Sequence, residues 1–356
     1  MKKILCIVCA CILLLGLTNC KKPPNNPSED VIKIRVGISV YDRYDTFISL
    51  LTERFNHYIK EKEAAGTYRF TVLLESADGS QVTQNNQVDN FLNAGCDILC
   101  VNLVDRTDVS SIINKAEISN TPILFFNREP VPADIERSNS LYYVGADSIV
   151  SGQLQGHLVD ELYRADPKKH DKNADDILQY VMLEGEAGHQ DAIYRTQYSI
   201  ETLEDAELEV KRLDGAIANW SRTIAETKMN QWLSQYGYPP ASGNKSIEVV
   251  FANNDDMALG AIDALEKADI NPEKWPLIVG VDGTREGLEA VKNGKMAGTV
   301  FNDADGQARA LVELICSLAS GRAVPSDIPL DGKYIRLPYQ PVTSDNVQKY
   351  INLYTK

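Results

Sequence analysis

Short apolar runs alternate with amphipathic stretches along almost the whole chain, and this rhythm restricts the fold more than any other feature. The segments IRVGISV, CVNLV and IEVVFA are near-continuous apolar runs. Such runs suit strands buried on both faces of a parallel sheet. Between them lie helical stripes, as at positions 47, 50, 51, 55, 58 and 59. The pattern predicts strands at 34–40, 70–74, 98–104 and 123–126. It then restarts, with strands at 142–144, 178–183, 208–212, 248–252, 277–281, 297–301 and 334–337. Strands joined through helices imply parallel sheets with right-handed crossovers. The predicted class is α/β, and about 325 residues beyond an N-terminal leader suggest two domains rather than one core.

The first residues are a separate matter. Met1-Lys2-Lys3 precedes an apolar run from Ile4 to Leu17, which reads as a secretory signal peptide over 1–19. The run is too short for a spanning helix, which needs roughly 20 apolar residues. It ends in Leu17-Thr18-Asn19-Cys20, a pattern similar to the bacterial lipobox that lipidates its cysteine. Asn19 departs from the usual small residue. Residues 20–30 are polar and proline-rich and read as a tether. The expected location is the bacterial cell envelope, lipid-anchored through Cys20 on the periplasmic side.

The net charge is −14, or −16 once Lys2 and Lys3 leave. That acidity, without a basic run, argues against nucleic acid and anionic membrane surfaces as partners. Three cysteines, Cys96, Cys100 and Cys316, remain outside the leader and its anchor site. Cys96 and Cys100 on one strand would stand roughly 13 Å apart, too far for a disulfide. Buried free thiols are expected.

In a parallel sheet, ligands bind beyond the carboxyl ends of the strands. The residues there are Asp45 and Phe47, Asn102, Asn127, His189 with Asp191 and Arg195, Asn254, Asp282 and Asn302. Carboxylates, amides and guanidinium groups suit the hydroxyls of a neutral polyhydroxylated ligand, and aromatic rings cover its C–H faces. Taken singly, each residue has an ordinary reading. A strand-end Asp or Asn is often a helix N-cap. His189 could be a loop residue, Arg195 a solvated helix face and Trp220 core.

The set, however, carries a resemblance. The motifs are VNLVD (101–105), FFNREP (125–130), YYVGADS (142–148), LEGEAGHQDAIYRT (183–196), KMNQWL (228–233), EVVFANND (248–255), VGVDG (279–283) and AGTVFNDA (297–304). In this order and spacing they resemble the galactose/glucose-binding receptors of sugar ABC transporters, within the type I periplasmic binding proteins. The resemblance runs from about Ile34 to the C-terminal end. It implies two doubly wound parallel-sheet domains joined by a three-strand hinge. The chain would cross near Asn127, Asn302 and Leu337. That gives a first domain of 31–127 plus 302–337 and a second of 128–301 plus 338–356.

The resemblance also assigns roles. Asp45 would accept from the C4 hydroxyl and Asn102 would bind a ring hydroxyl. His189, Asp191 and Arg195 would gather the ring oxygen and the C1 to C3 region. Asn254, Asp282 and Asn302 would hold C1 to C3 and the far edge. Phe47 and Trp220 would sandwich the ring, although the spacing of Trp220 from Asp214 departs from the family. The implied protein is a monomer and not an enzyme. It captures D-glucose or D-galactose and hands it to an ABC permease or a chemoreceptor. The alternatives are a ribose-like or furanose receptor, a glycoside-processing enzyme built on paired carboxylates, and a transcription-regulator core. The last lacks a helix-turn-helix head, since the head here is a signal peptide.

A second motif spans Asp171 to Gln179. Oxygen-bearing side chains stand at its first, third, fifth and ninth positions (Asp171, Asn173, Asp175 and Gln179), with Ile177 at the seventh, where a backbone carbonyl serves. This is the first part of an EF-hand-like calcium loop. The resemblance implies a completing glutamate supplied from a distant strand, Glu248. Asp176 occupies the sixth position, where Gly favours the sharp turn.

Overall fold

The structure is a computed structural model and describes residues 31–236 and 246–355. The signal peptide, Cys20 and the tether lie outside the described residues. Two sheets carry the fold. The first holds β1 (Ile32–Val40), β2 (Tyr68–Ser76), β3 (Ile98–Val101), β4 (Ile123–Phe126), β5 (Leu141–Ala146), and later β11 (Leu330–Asp331) and β12 (Tyr334–Leu337). The second holds β6 (Leu178–Glu184), β7 (Val210–Ile217), β8 (Val249–Ala252), β9 (Leu277–Asp282), β10 (Gly298–Phe301) and β13 (Gln340–Val342). Their orders are β11-β12-β5-β4-β3-β1-β2 and β13-β10-β9-β8-β6-β7. All pairings are parallel except the edge pairs β11–β12 and β10–β13.

The apolar runs fold this way because each serves two cores at once. In β3, Ile98 and Cys100 face one core while Leu99 and Val101 face the other. In β8, Val249 and Phe251 face one while Val250 and Ala252 face the other. Helices cover both faces, so a strand of this kind must be apolar throughout. Cys96, Cys100 and Cys316 are buried and unpaired, as expected.

The first crossing differs from expectation. It does not fall near Asn127. β5 lies between β4 and β12 in the first sheet, so the chain stays there until Ala146. The intervening stretch holds the short helix Pro132–Ile135, whose Ile135 is buried in a first-sheet core. The crossing comes at Asp147, which caps the helix Ser148–Ala165 by accepting from Ile149 N at 3.0 Å. The boundary near Asn127 is what the resemblance implies, whereas the stretch after Phe126 connects neighbouring strands of the first sheet, with Arg128 and Ile135 buried in it. The other two crossings lie between β10 and the helix Ala304–Ser320, and between β12 and β13. Residues 128–146 therefore belong with the first sheet. Among the described residues, no helix is long and apolar enough to cross a membrane.

Candidate functional site

The carboxyl ends of the two sheets face each other across a cleft. From the first domain come Tyr41, Asp45, Phe47, Asn127 and Arg128; from the second come His189, Asp191, Arg195, Trp220, Asn254 and Asp282. The capping reading and the site reading of these residues turn out to coincide. Asp45 caps the helix Thr46–Ala64 through Ile48 N, and Asn254 caps Asp255–Lys267 through Met257 N. His189 caps Gln190–Asp205, its Nδ1 accepting from Asp191 N at 3.0 Å. Each cap pins the side chain at the mouth of a strand. For His189 it also fixes the neutral tautomer with the proton on Nε2.

Arg195 is the centre of the second wall, 2% exposed. Its Nη2 donates to Asp191 Oδ2 at 2.7 Å and to the Tyr339 hydroxyl at 3.0 Å. Its Nη1 donates to the Asn253 carbonyl at 2.7 Å, and Nε donates to Ser151 Oγ at 3.1 Å. Asp282 Oδ1 stands 4.0 Å from Nη1. Burial pushes the Asp282 carboxyl well above its ordinary range, with Arg195 opposing. Burial likewise raises Asp191, again against Arg195, and raises Asp45 against its bonds from Tyr41 and Ile48. Burial, then Arg128 and Arg195, hold His189 well below the usual imidazole value, so it stays neutral. Asp282 has φ of 116°, in the region L-residues avoid. Strain of that kind costs on the order of 1–3 kcal/mol and clusters at functional sites.

Trp220, also at positive φ, stands on Gly185. A Cβ at position 185 would come 2.1 Å from the indole ring, so only Gly admits the tryptophan here. Its ring meets His189 edge-to-face at 5.0 Å. The indole Nε1 is buried without a hydrogen-bond partner. With Phe47 and Tyr41 on the opposite lip, the cleft carries aromatic rings from both domains.

Two expected residues stand behind the cleft rather than in it. Asn102 spends its amide on the protein. Its Oδ1 accepts from Tyr41 N at 3.2 Å, while Nδ2 donates to the Phe126 carbonyl and Asn127 Oδ1, both at 3.1 Å. It shapes the first wall. Asn302 accepts from Gln307 Nε2 at 2.6 Å and donates to Asp282 Oδ1 at 3.4 Å, so it orients that carboxylate. Conversely, Tyr41 and Arg128 line the cleft without a role expected from the sequence, and Asn127, expected only as a strand-end residue, lines it too. Tyr41 and Asn127 directly follow β1 and β4, so the strand-end rule pointed to them.

Arg128 joins the two lips. It donates Nη1 and Nη2 to the two oxygens of Glu186 at 2.9 Å each, and its guanidinium lies 3.4 Å above the centre of the Tyr41 ring. Thr46 Oγ1 donates to Asp256 Oδ2 at 2.5 Å, and Gln190 Nε2 to the Asn127 carbonyl at 3.0 Å. The cleft is thus in a closed arrangement. Its chemistry is recognition: fixed acceptors, fixed donors and aromatic rings. The His189 Nδ1 lone pair already serves a backbone amide, so it is not free to act as a base on a nucleophile.

The second motif forms a compact loop. Glu248 clasps both ends of it, accepting from Lys172 N at 2.7 Å and Gln179 N at 2.8 Å. Asp171 accepts from Asp176 N at 3.0 Å, and Asp175 from Ile177 N at 3.0 Å. Asp176 adopts φ of 60°, the left-handed turn for which Gly is usual. Burial raises the Glu248 carboxyl to about 7, with Asp171 and Asp175 adding repulsion. Among the described residues, no group of three or more His, Cys, Asp or Glu side chains stands as a metal centre by itself. Any cation here would need the amide and carbonyl oxygens of Asn173, Gln179 and Ile177 as well.

Comparison with known proteins agrees with the fold. The periplasmic binding protein domain matches residues 36–323. The D-galactose/methyl-galactoside binding periplasmic protein of Haemophilus influenzae is 36% identical over 319 residues, spanning 89% of this chain and 92% of that protein. The xylitol-binding protein of Mycolicibacterium smegmatis is 30% identical, spanning 97% and 86%. Among solved structures, an ABC transporter solute binding protein from Bacillus halodurans with bound myo-inositol superposes with a TM-score of 0.73 at 29% identity, covering 90% of this chain and 97% of that one. Matched over most of its length by a family of solute-binding proteins rather than enzymes, this chain belongs to the periplasmic binding protein family.

Proposed function

We propose that this protein is a sugar receptor of an ABC transporter, that its ligand is D-glucose or D-galactose, and that a membrane permease reads its closed form. The observation that carries the reading is the set of acceptors and donors at Asp45, Asp191, Arg195 and Asp282, bounded by Phe47 and Trp220. Buried carboxylates facing a cleft cost free energy unless a ligand's hydroxyls donate to them. A neutral polyol does so without adding charge. The galactoside-binding relative supports a hexose. A different polyol is the second reading, since relatives include xylitol-, rhizopine- and ribose-binding proteins. Isothermal titration with glucose, galactose, ribose, xylitol and myo-inositol decides between them. The hexose reading expects micromolar or tighter binding of glucose or galactose, and it fails if neither binds.

The proposal extends to location and metal. Cys20 would carry the lipid that holds the receptor in the cell envelope, and a chemoreceptor is a second possible reader. Calcium would be held by Asp171, Asn173, Asp175, the Ile177 carbonyl, Gln179 and Glu248. The clasp by Glu248 and the left-handed Asp176 support that assignment. Bound there, the cation would neutralise the carboxylates and brace the loop.

Affinity should depend on pH with a defined sign. Asp45, Asp191 and Asp282 titrate above the ordinary carboxylate range. Sugar hydroxyls donate to the ionised form and favour it, so binding releases protons where these groups are partly protonated. Affinity therefore falls as pH drops through the raised range, beginning above about pH 4. Stability of the sugar-free protein has the opposite slope: in that window the folded state binds more protons than the unfolded, so stability declines as pH rises. Titrations at pH 7.5 and 5.0 should show weaker binding at 5.0. Equal affinity would mean the carboxylates do not contact the ligand.

A further inference from the structure

Four acceptors hold the Arg195 guanidinium, and they differ in origin. Ser151 sits on the helix Ser148–Ala165, Asp191 on the same helix as Arg195, and Asn253 directly after β8. All three belong to the second domain. The fourth, the Tyr339 hydroxyl, comes from the crossing between β12 and β13. Tyr339 is 6% exposed and packs with Ala146, Leu158, Val281 and Val300. Ala146 ends β5 just before the first crossing, and Val300 lies in β10 just before the second. The three crossings therefore meet at this tyrosine. Pro338 and Pro341 flank it, and their fixed φ stiffens the segment that carries the phenol.

We infer that Tyr339 is the positioning residue for Arg195, through which the hinge crossing sets the orientation of the guanidinium in the ligand cleft. Asp191, Asn253 and Ser151 hold the guanidinium from the second domain alone, whereas the phenol oxygen, sharing Nη2 with Asp191, ties it to the hinge crossing and leaves one Nη1–H free for the ligand. A guanidinium misplaced by a fraction of an ångström loses its bidentate geometry. The inference rests on the reading of this cleft as the sugar site.

Tyr339→Phe keeps the ring and its packing and removes only the oxygen. The expected result is a roughly tenfold weaker Kd for the hexose that binds the unaltered protein, with little change in melting temperature. The discriminating readout needs no ligand. The Arg195 guanidinium resonance, assigned by its loss in Arg195→Lys, should show hindered rotation in the unaltered protein and averaging in Tyr339→Phe. An unchanged guanidinium resonance overturns the inference whatever the Kd. An averaged resonance with unchanged Kd overturns its bearing on the ligand. If the unaltered protein binds none of the hexoses, the sugar reading fails, and the resonance alone decides the positioning role.

Discussion

Replacing Arg195 with Met is expected to abolish sugar binding and to lower stability by about 3–5 kcal/mol. Arg195 is 2% exposed, so whatever it leaves behind is buried. Its loss strands the Asp191 carboxylate and the Asn253 carbonyl, and it removes the cation 4.0 Å from Asp282. Small and mid-sized domains have only about 5–15 kcal/mol in hand, so a shift of this size is plain in a urea midpoint. The sign of its pH dependence identifies the cause. Without the cation, Asp191 and Asp282 titrate still higher, because Arg195 is the main influence opposing burial at both. Protonation relieves an unpaired buried carboxylate, so the gap between variant and parent should narrow as pH falls. A gap independent of pH would point to lost packing instead. Arg195→Lys keeps a charge but cannot span Asp191, Asn253 and Tyr339 together. It should therefore cost less stability, yet weaken binding by at least about tenfold, from one or more lost hydrogen bonds to a charged group. Calorimetry on both variants, with denaturation at pH 7.5 and 5.0, checks all of this. Full-strength sugar binding by the Met variant would remove Arg195 from the site.

The parts of the fold that were legible in the sequence are those where one local signal had one structural cause. β8 and β10 are apolar at every position because helices press on both faces, and both strands are wholly buried. The strand-end rule worked for a similar reason. Asp45, His189 and Asn254 must sit at helix starts to satisfy backbone N–H groups, and helix starts in this fold face the cleft. What no local pattern shows are questions of partner choice. β5 pairs with its neighbour β4 on one side and with β12, nearly two hundred residues away, on the other, and no local pattern encodes the second pairing. Whether Asn102 faces a ligand depends on how its amide is shared between Tyr41, Phe126 and Asn127. Arg128 reads as one more charged residue after a strand. Its role across the cleft exists only because Glu186, from the other domain, stands opposite. The edge strand β13 is three residues long and antiparallel, too short to show a period.

On the proposal that the Asp171–Gln179 loop holds calcium, a chelator is expected to lower the melting temperature, and the size of the effect can be bounded. A ligand that binds only the folded state stabilises it by RT ln(1 + [L]/Kd), about 4 kcal/mol at a thousandfold excess over Kd. The loop concentrates Asp171, Asp175 and Glu248 around a short backbone segment, and Glu248 has no solvent-accessible surface. Without a cation, desolvation together with repulsion from Asp171 and Asp175 lifts Glu248 to about 7. A divalent ion reverses both penalties, so the chelator effect should be larger at pH 7.5 than at pH 5.5, where protons compete for the same oxygens. Glu248→Gln separates metal binding from the clasp. The amide keeps one oxygen for Lys172 N or Gln179 N but gives up the charge, so the variant should fold and lose its response to chelator. Asp176→Gly tests the turn. Relieving a left-handed non-glycine residue should raise stability by up to about 1 kcal/mol while leaving every proposed ligand in place, so calcium affinity should hold or improve. A parent protein whose melting temperature ignores both chelator and added calcium would leave the clasp as a purely hydrogen-bonded loop. In that case Asn173 Nδ2 and Gln179 Nε2, which already donate to Asp175 at 3.0 and 2.9 Å, satisfy its carboxylate by hydrogen bonding instead of a metal.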